Sequence, residues 1–465
     1  MNGRMLRIEL RRSAAPWPGL LVLAGSLAVF FLIDGVWWRG TAGWTAQWTS
    51  MAMWTRYLLG FWWPLVVGLG ALHGLRDSRS RMTELLATTP RTPWQRAAVP
   101  AGAVVLSLVA CFGVLVLVGA VQVAAGESRY PTFGWVPISL VAALALAAGA
   151  VFGMGVARAL PSVLTPPAVT VLALLAVNLL RHTGDHEVPE GLVSNRLALL
   201  SPAVVEPREM LLTLSGPVHL GQALWLLGLL ATGFALLAAA SRRARLLALA
   251  PVVAGASLAL AVLPAQARDS YVVDRVAAGP VCDGPVCVTR ANGARLPEVA
   301  RRGREALEVL RGVLGERAPS AVTEDNRLRG LGEQRALSAG VVLVDFDERL
   351  LAGATGRELT RALVGQGLAP NCHGYNDREG GGTENVALQS VLASWALGDT
   401  RLVPLERPGA DAYTRQVWDR AEAGRARLAT LPPEQQRALV AEVRANSLTC
   451  EPGSPLSLLA GEAGS

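Results

Sequence analysis

The sequence predicts an α-helical polytopic membrane domain of about seven transmembrane helices, followed by a mixed α/β, mostly helical extracytoplasmic domain. Three observations predict it. Long apolar runs are confined to residues 17–264, arginines crowd alternate connections between those runs, and four of the five cysteines fall in the remainder.

A span needs about 20 mostly apolar residues to cross the hydrocarbon core. Stretches near residues 17–33, 54–72, 99–121, 135–157, 160–180, 218–240 and 246–264 qualify. Residues 1–16 are then a cytoplasmic N-terminus, 17–264 the transmembrane domain and 265–465 the external domain. The first run follows a basic start but lacks a clean small-residue cleavage site and ends in Asp34-Gly35-Val36-Trp37-Trp38, so it reads as a retained span. The fifth contains Pro161, Pro166 and Pro167, which predict a bent or re-entrant entry. Trp37, Trp38, Trp44, Trp48, Trp54, Trp62 and Trp63 surround the first outer connection, where a half-wet indole ring favours the interface.

Arginine placement sets the orientation. Arg4, Arg7, Arg11 and Arg12 precede the first span, Arg76, Arg79, Arg81, Arg91 and Arg96 lie in the second connection, and Arg242, Arg243 and Arg245 follow the sixth span. The first and third connections carry little, chiefly Arg39 and Arg129. The positive-inside rule then puts the N-terminus in the cytoplasm, and seven crossings deliver residue 265 onward to the outside of a multi-pass plasma-membrane protein. The formal charge is +7 and every basic residue is Arg. These arginines flank apolar runs instead of lining one face, which argues against a nucleic-acid partner and for a lipid bilayer.

Cysteine usage is an independent check on orientation. Cys111 sits within an apolar run and reads as a small packed residue. Cys282, Cys287, Cys372 and Cys450 all lie in the tail, an even number that predicts two disulfides in an oxidising compartment. Of the three pairings, Cys282–Cys287 with Cys372–Cys450 is favoured because a short loop closes at little entropic cost. A zinc site is the alternative, but C-x4-C with two distant single cysteines is a poor ribbon pattern.

The second connection, residues 73–98, is cytoplasmic in this topology. Ser80 or Thr83 can cap a short helix that Pro90 ends, with Met82, Leu85 and Leu86 as an apolar stripe and Arg79, Arg81 and Glu84 facing water. An ordinary basic loop is the other reading. The form Glu84-Leu85-Leu86-Ala87-Thr88-Thr89-Pro90, followed by a basic residue and a return span, resembles the membrane subunits of type 2 ABC exporters over about residues 1–240. The outer connection at 181–217, with short apolar stretches broken by Pro202 and Pro207, is similar to the short outer helices of that family. The resemblance implies that Arg79, Arg81, Glu84, Leu85 and Pro90 couple the chain to a separate ABC ATPase, and it implies a homodimer. A seventh span and a large external tail depart from the family pattern.

No ATPase lies in this chain, because G-x-x-x-x-G-K-[S/T] needs a lysine to reach the phosphates and the sequence has none. Asp34, Gln122 and Asn178 sit near span ends, so no mid-depth carboxylate supports a proton relay.

In the tail, helical spacing predicts helices near 297–314, 356–364, 384–397, 412–428 and 433–446, and Val341–Val344 with Asp345 and Phe346 reads as a buried strand. A Gly-rich loop is expected at Gly380-Gly381-Gly382. Arg357-Glu358-Leu359-Thr360-Arg361 has the outline of H-E-x-x-H with both histidines replaced by arginine, and Glu384 heads a following helix. This weakly resembles a degenerate gluzincin metallopeptidase, which implies that Glu384 sits where a third zinc ligand would be, beside Arg361. A guanidinium has no free lone pair, so no metal, cofactor or catalysis is expected there. The alternative is a surface helix with an accidental match, and His373 reads as a loop residue. Two functional expectations follow: a non-catalytic permease-type subunit of an ABC export system, or a membrane-anchored binding or sensory protein.

Overall fold

The computed structural model describes residues 14–33, 35–38, 43–76, 92–126, 132–181, 194–204, 211–327, 334–346, 348–372, 381–406, 408–450 and 455–461. The chain divides into two compact units, one of Met1–Glu127 with Pro131–Val272 and one of Ser128–Tyr130 with Val273–Ser465.

The first unit is helical. Its helices are α1 (Pro16–Leu32), α2 (Trp48–Tyr57), α3 (Leu59–Gly74), α4 (Pro93–Ala125), α5 (Trp135–Ala159), α6 (Thr165–Arg181), the short α7 (Asn195–Ala198), α8 (Gly216–Ala238), α9 (Arg242–Leu247) and α10 (Ala250–Val262). By length and composition, four described helices can cross a membrane: α4, α5, α8 and the continuous run Arg242–Val262. The α2–α3 pair is a fifth if counted as one span, while α1 and α6 are apolar but shorter. Helix α4 starts sharply because Thr92 and Gln95 form a reciprocal capping box and Pro93 follows the cap.

One expectation is corrected here. The second apolar stretch is not one straight span: α2 and α3 meet at Leu58 with a bend of 48°. Pro64 does not cause the break, since it lies inside α3. The entry of the fifth stretch, residues 160–164, is non-helical, and its prolines stand there and at the start of α6. Pro161 precedes α6, and Pro166 and Pro167 occupy its first turn, where the missing N–H groups have no intrahelical partner to lose.

Small residues bring the helix backbones of this unit into contact. A Cβ on Gly153 of α5 would lie 2.0 Å from the Val67 carbonyl oxygen of α3, and one on Gly155 would lie 2.3 Å from the Gly233 carbonyl oxygen of α8. Aromatic rings close one region: Phe30 stacks on Trp44 at 4.4 Å between centroids, and Trp48 stacks on Trp135 at 5.8 Å. Cys111 is an unbridged, half-buried residue of α4. Short strands β1 (Leu212–Leu214) and β2 (Tyr271–Val273) pair where the unit ends.

The second unit is α/β. Strands β3 (Pro280–Asp283), β4 (Val286–Thr289), β5 (Ala321–Glu324) and β6 (Val341–Val344) form one sheet in that order; β3 and β4 are antiparallel, while β4, β5 and β6 run parallel. The crossover from β4 to β5 is α11 (Leu296–Leu314), as parallel strands require. Alternate positions Val286 and Val288, Val322 and Glu324, and Val342 and Val344 are buried. Then come α12 (Arg349–Ala352), α13 (Gly356–Leu368), α14 (Gly381–Ala396), α15 (Ala412–Thr430), α16 (Pro433–Thr449) and α17 (Pro455–Ala460). Helices α11 and α13 pack on the sheet, α14 packs on α13, and α15 packs on α14. The five helices and the strand expected from sequence are present; the expected helix starts at 384 and 433 fall within α14 and at the start of α16, and Gly381 and Gly382, expected in a loop, form the first turn of α14 because no side chain there opposes a helical start.

Both favoured disulfides form. Cys282–Cys287 joins directly opposed residues of the β3–β4 hairpin, with Cα atoms 4.1 Å apart, and Cys372–Cys450 bridges a separation of 78 residues. Arg444 of α16 is a second tie. Its guanidinium donates to the carbonyl oxygens of Gly367 at 2.8 Å, Arg317 at 3.2 Å and Ala339 at 2.6 Å, so one side chain joins the ends of α13 and α11 to the approach to β6.

Candidate functional site

Of the residues expected to carry function, Arg79, Arg81, Glu84, Leu85 and Pro90 lie outside the described residues, as do Ser80, Thr83, Asp34, His373, Gly380, and 182–193 and 205–210 of the outer connection. Arg357, Glu358, Arg361 and Glu384 are described. Arg357 and Glu358 are exposed on α13, whereas Leu359 and Thr360 are buried.

The expected pairing of Arg361 with Glu384 does not form. Arg361 instead pairs with Asp399 at 2.5 Å and reaches Ser394 Oγ at 3.4 Å, while Glu384 accepts from Arg420 of α15 at 2.6 Å. The physical reason is register. Helices α13 and α14 pack antiparallel, with Arg361 opposite Ser394, Gly365 beside Gln389, and the Gln389 amide donating to the Ala369 carbonyl oxygen. Glu384, a further turn back along α14, lies past the end of α13 and meets α15. Among the described residues no group of three or more His, Cys, Asp or Glu side chains could hold a metal ion.

At the carboxyl ends of β5 and β6 lies a buried ionic centre that sequence reasoning did not single out. Arg335, with a side chain 2 % exposed, meets Glu348 Oε1 at 2.5 Å and Asp345 directly, and its Nε lies 3.8 Å from Asp325. Glu348 also accepts from Gln366 at 3.1 Å and from Asn371 at 3.5 Å. Burial holds the Glu348 carboxyl above its usual range, opposed by Arg335 and reinforced by Asp345. Beside this centre, Glu324 accepts the Thr289 backbone N–H and the Asn292 amide, each at 2.6 Å. Ligands of open parallel sheets bind outside such carboxyl ends, but these carboxylates already have partners within the chain, so the centre is built as a structural clasp. No local pattern signals it, because its members come from three separate segments between 325 and 348.

The first unit holds a different kind of polar centre. Arg56, near the end of α2 and two residues before the bend, is 0 % exposed. Its Nε donates to the Pro202 carbonyl oxygen at 3.1 Å and its Nη2 to Gln222 Oε1 of α8. The Gln222 amide in turn donates to the carbonyl oxygens of Leu199 at 2.9 Å and Ser201 at 3.2 Å. A stretch of irregular backbone, residues 199–204, is thereby held inside a helical unit by two side chains; Ser201, Pro202, Ala203 and Val204 are buried. Irregular backbone among apolar helices is tolerated where protein groups satisfy it or where it lines a site. Among the described residues, Arg56 Nη1, His219 Nδ1 and the Ser201 and Ser215 hydroxyls have no hydrogen-bond partner of good geometry, and the His219 ring lies against the backbone of Leu214. The signal for this centre was in the sequence: an arginine inside the second apolar stretch, and a His and Gln inside the sixth.

Comparison with known protein families, curated proteins and solved structures finds no match to this chain.

Proposed function

We propose that the chain is a permease-like integral membrane subunit of an ABC export system and takes its energy from a separate ATPase. On this reading the seven apolar stretches are seven crossings, the N-terminus is cytoplasmic, the disulfide-bonded unit is extracytoplasmic, and the subunit works as a homodimer in the plasma membrane. The observation that carries the reading is the sequence of the second connection. Glu84 to Pro90, with its flanking arginines, has the form of a short cytoplasmic coupling helix between two apolar helices. A broken α2–α3 helix beside buried irregular backbone supports it, because both are features of helical transport units.

The test is co-purification of the full chain with an ABC ATPase encoded beside it. Glu84→Arg and Arg81→Glu are expected to abolish the complex or to uncouple ATP hydrolysis from export. Unchanged assembly and unchanged export in both variants would sink the proposal. The competing reading is a membrane-anchored, non-catalytic binding or sensory protein with a degenerate peptidase-like external domain. It is distinguished by the absence of any partner ATPase.

A further inference from the structure

We propose that Arg56, Gln222, His219 and Ser201 form an internal binding site for one phosphate-class oxyanion in the helical unit. The argument stands apart from the transport reading and starts from charge. Arg56 is fully buried, and the two described acceptors on its guanidinium, Pro202 O and Gln222 Oε1, are neutral. The described residues of this unit hold one carboxylate, Asp269, which is exposed and is not among the described partners of the buried Arg56. A buried guanidinium with no carboxylate partner among the described residues is costly, and an ionisable residue among membrane helices marks a functional site by default.

The unpaired atoms indicate the sign of the ligand. Arg56 Nη1 carries only donors, the Ser201 and Ser215 hydroxyls each have a proton to donate, and His219 Nδ1 donates when that nitrogen is protonated. A cation would find here a positive charge and few free acceptors. An oxyanion would find a guanidinium edge, whose planar donors match phosphate geometry, together with hydroxyl and imidazole donors. Gln222 positions the site: it holds Arg56 with its oxygen and the 199–204 backbone with its nitrogen. Arg56 Nη1 has no exposed surface in this arrangement, so entry requires residues 199–204 to move aside, breaking the Pro202–Arg56 and Ser201–Gln222 hydrogen bonds. The same chemistry is offered by inorganic phosphate and by the headgroup of an anionic phospholipid.

The experiment uses the full chain in nanodiscs of phosphatidylcholine. Its thermal midpoint is followed as inorganic phosphate is titrated and, separately, as phosphatidylglycerol replaces part of the lipid. The wild type is expected to gain stability in at least one arm. Arg56→Gln is expected to weaken the response at least tenfold in apparent affinity, and His219→Leu several-fold. A response to phosphatidylglycerol alone assigns the site to a lipid headgroup, and a response to phosphate alone assigns it to a free anion. No response in either arm, or an equal response in wild type and Arg56→Gln, overturns the proposal. Should Arg56→Gln fail to fold, His219→Leu and Arg56→Lys decide, and wild-type affinity in both overturns it equally.

Discussion

Replacing Cys372 and Cys450 together by Ser removes a cross-link spanning 78 residues, whereas replacing Cys282 and Cys287 opens a loop of only 5. In the chain-entropy account, a bridge stabilises by about T(2.1 + 1.5R ln n), with the bracket in cal/mol/K. The separations of 78 and 5 then correspond to about 4.5 and about 2 kcal/mol at room temperature. The difference, about 2.4 kcal/mol, is roughly a sixty-fold difference in the equilibrium for opening the second unit. The assay is hydrogen exchange by mass spectrometry on the full chain in micelles, reading the slowest amides of β4, β5 and β6. Exchange there is expected to accelerate by roughly two-thousand-fold in Cys372→Ser/Cys450→Ser and roughly thirty-fold in Cys282→Ser/Cys287→Ser. Equal acceleration, or a larger effect of the hairpin bridge, would refute loop closure as the source of the stabilisation.

Arg335→Met strands Asp325, Asp345 and Glu348 in a buried site. It should cost about 3–5 kcal/mol at neutral pH, with the deficit shrinking in acid as the carboxylates protonate; the same exchange assay reads it. The Glu348 carboxyl is held above its usual range by burial. The folded state therefore binds that proton more tightly than the unfolded one, and the contribution is complete below the unfolded pKa and lost as pH rises through the folded value. After correction for intrinsic exchange, wild-type protection should rise as pH falls from neutral, and Glu348→Gln should remove that part of the slope; an unchanged slope would contradict the assignment. In the helical unit, Gly153→Leu meets the Val67 carbonyl oxygen and should abolish a monodisperse folded peak in detergent. Gly113→Ala in α4, where a Cβ meets nothing within 4 Å, should leave the peak intact and raise the thermal midpoint, by about 0.5–1 kcal/mol of helix propensity at most.

The helices were legible because each carries a long periodic signal. The apolar runs 99–121 and 135–157 sit wholly inside α4 and α5, and the charged–apolar alternation of 297–314 coincides with α11. Strands β3, β4 and β5 were not legible: β6, equally short, is an unbroken Val-Val-Leu-Val run, whereas each of the others mixes polar residues or cysteine into its four positions, and Glu324 puts a carboxylate at an inward position. The break at Leu58 was hidden because no proline marks it and Gly60, two residues on, is embedded in a continuous apolar run. The Arg361–Glu384 pairing failed because spacing along two helices says nothing about the register between them. Register here is set by the small face of Gly365 against Gln389. Arg56 was visible as a residue but not as a centre, because Pro202 and Gln222, which hold it, are 146 and 166 residues away.

The hydrogen bonds of Arg444 have a consequence for synthesis. The Arg317 carbonyl oxygen is made 127 residues before the guanidinium that engages it, and those of Ala339 and Gly367 are made 105 and 77 residues before. A chain emerging from its N-terminal end can therefore form the sheet and α11 to α15 while three of their connections still lack a partner. The nascent second unit stays unlatched until α16 arrives. Through that interval its unsatisfied connections are the surfaces that a chaperone or a protease would meet first.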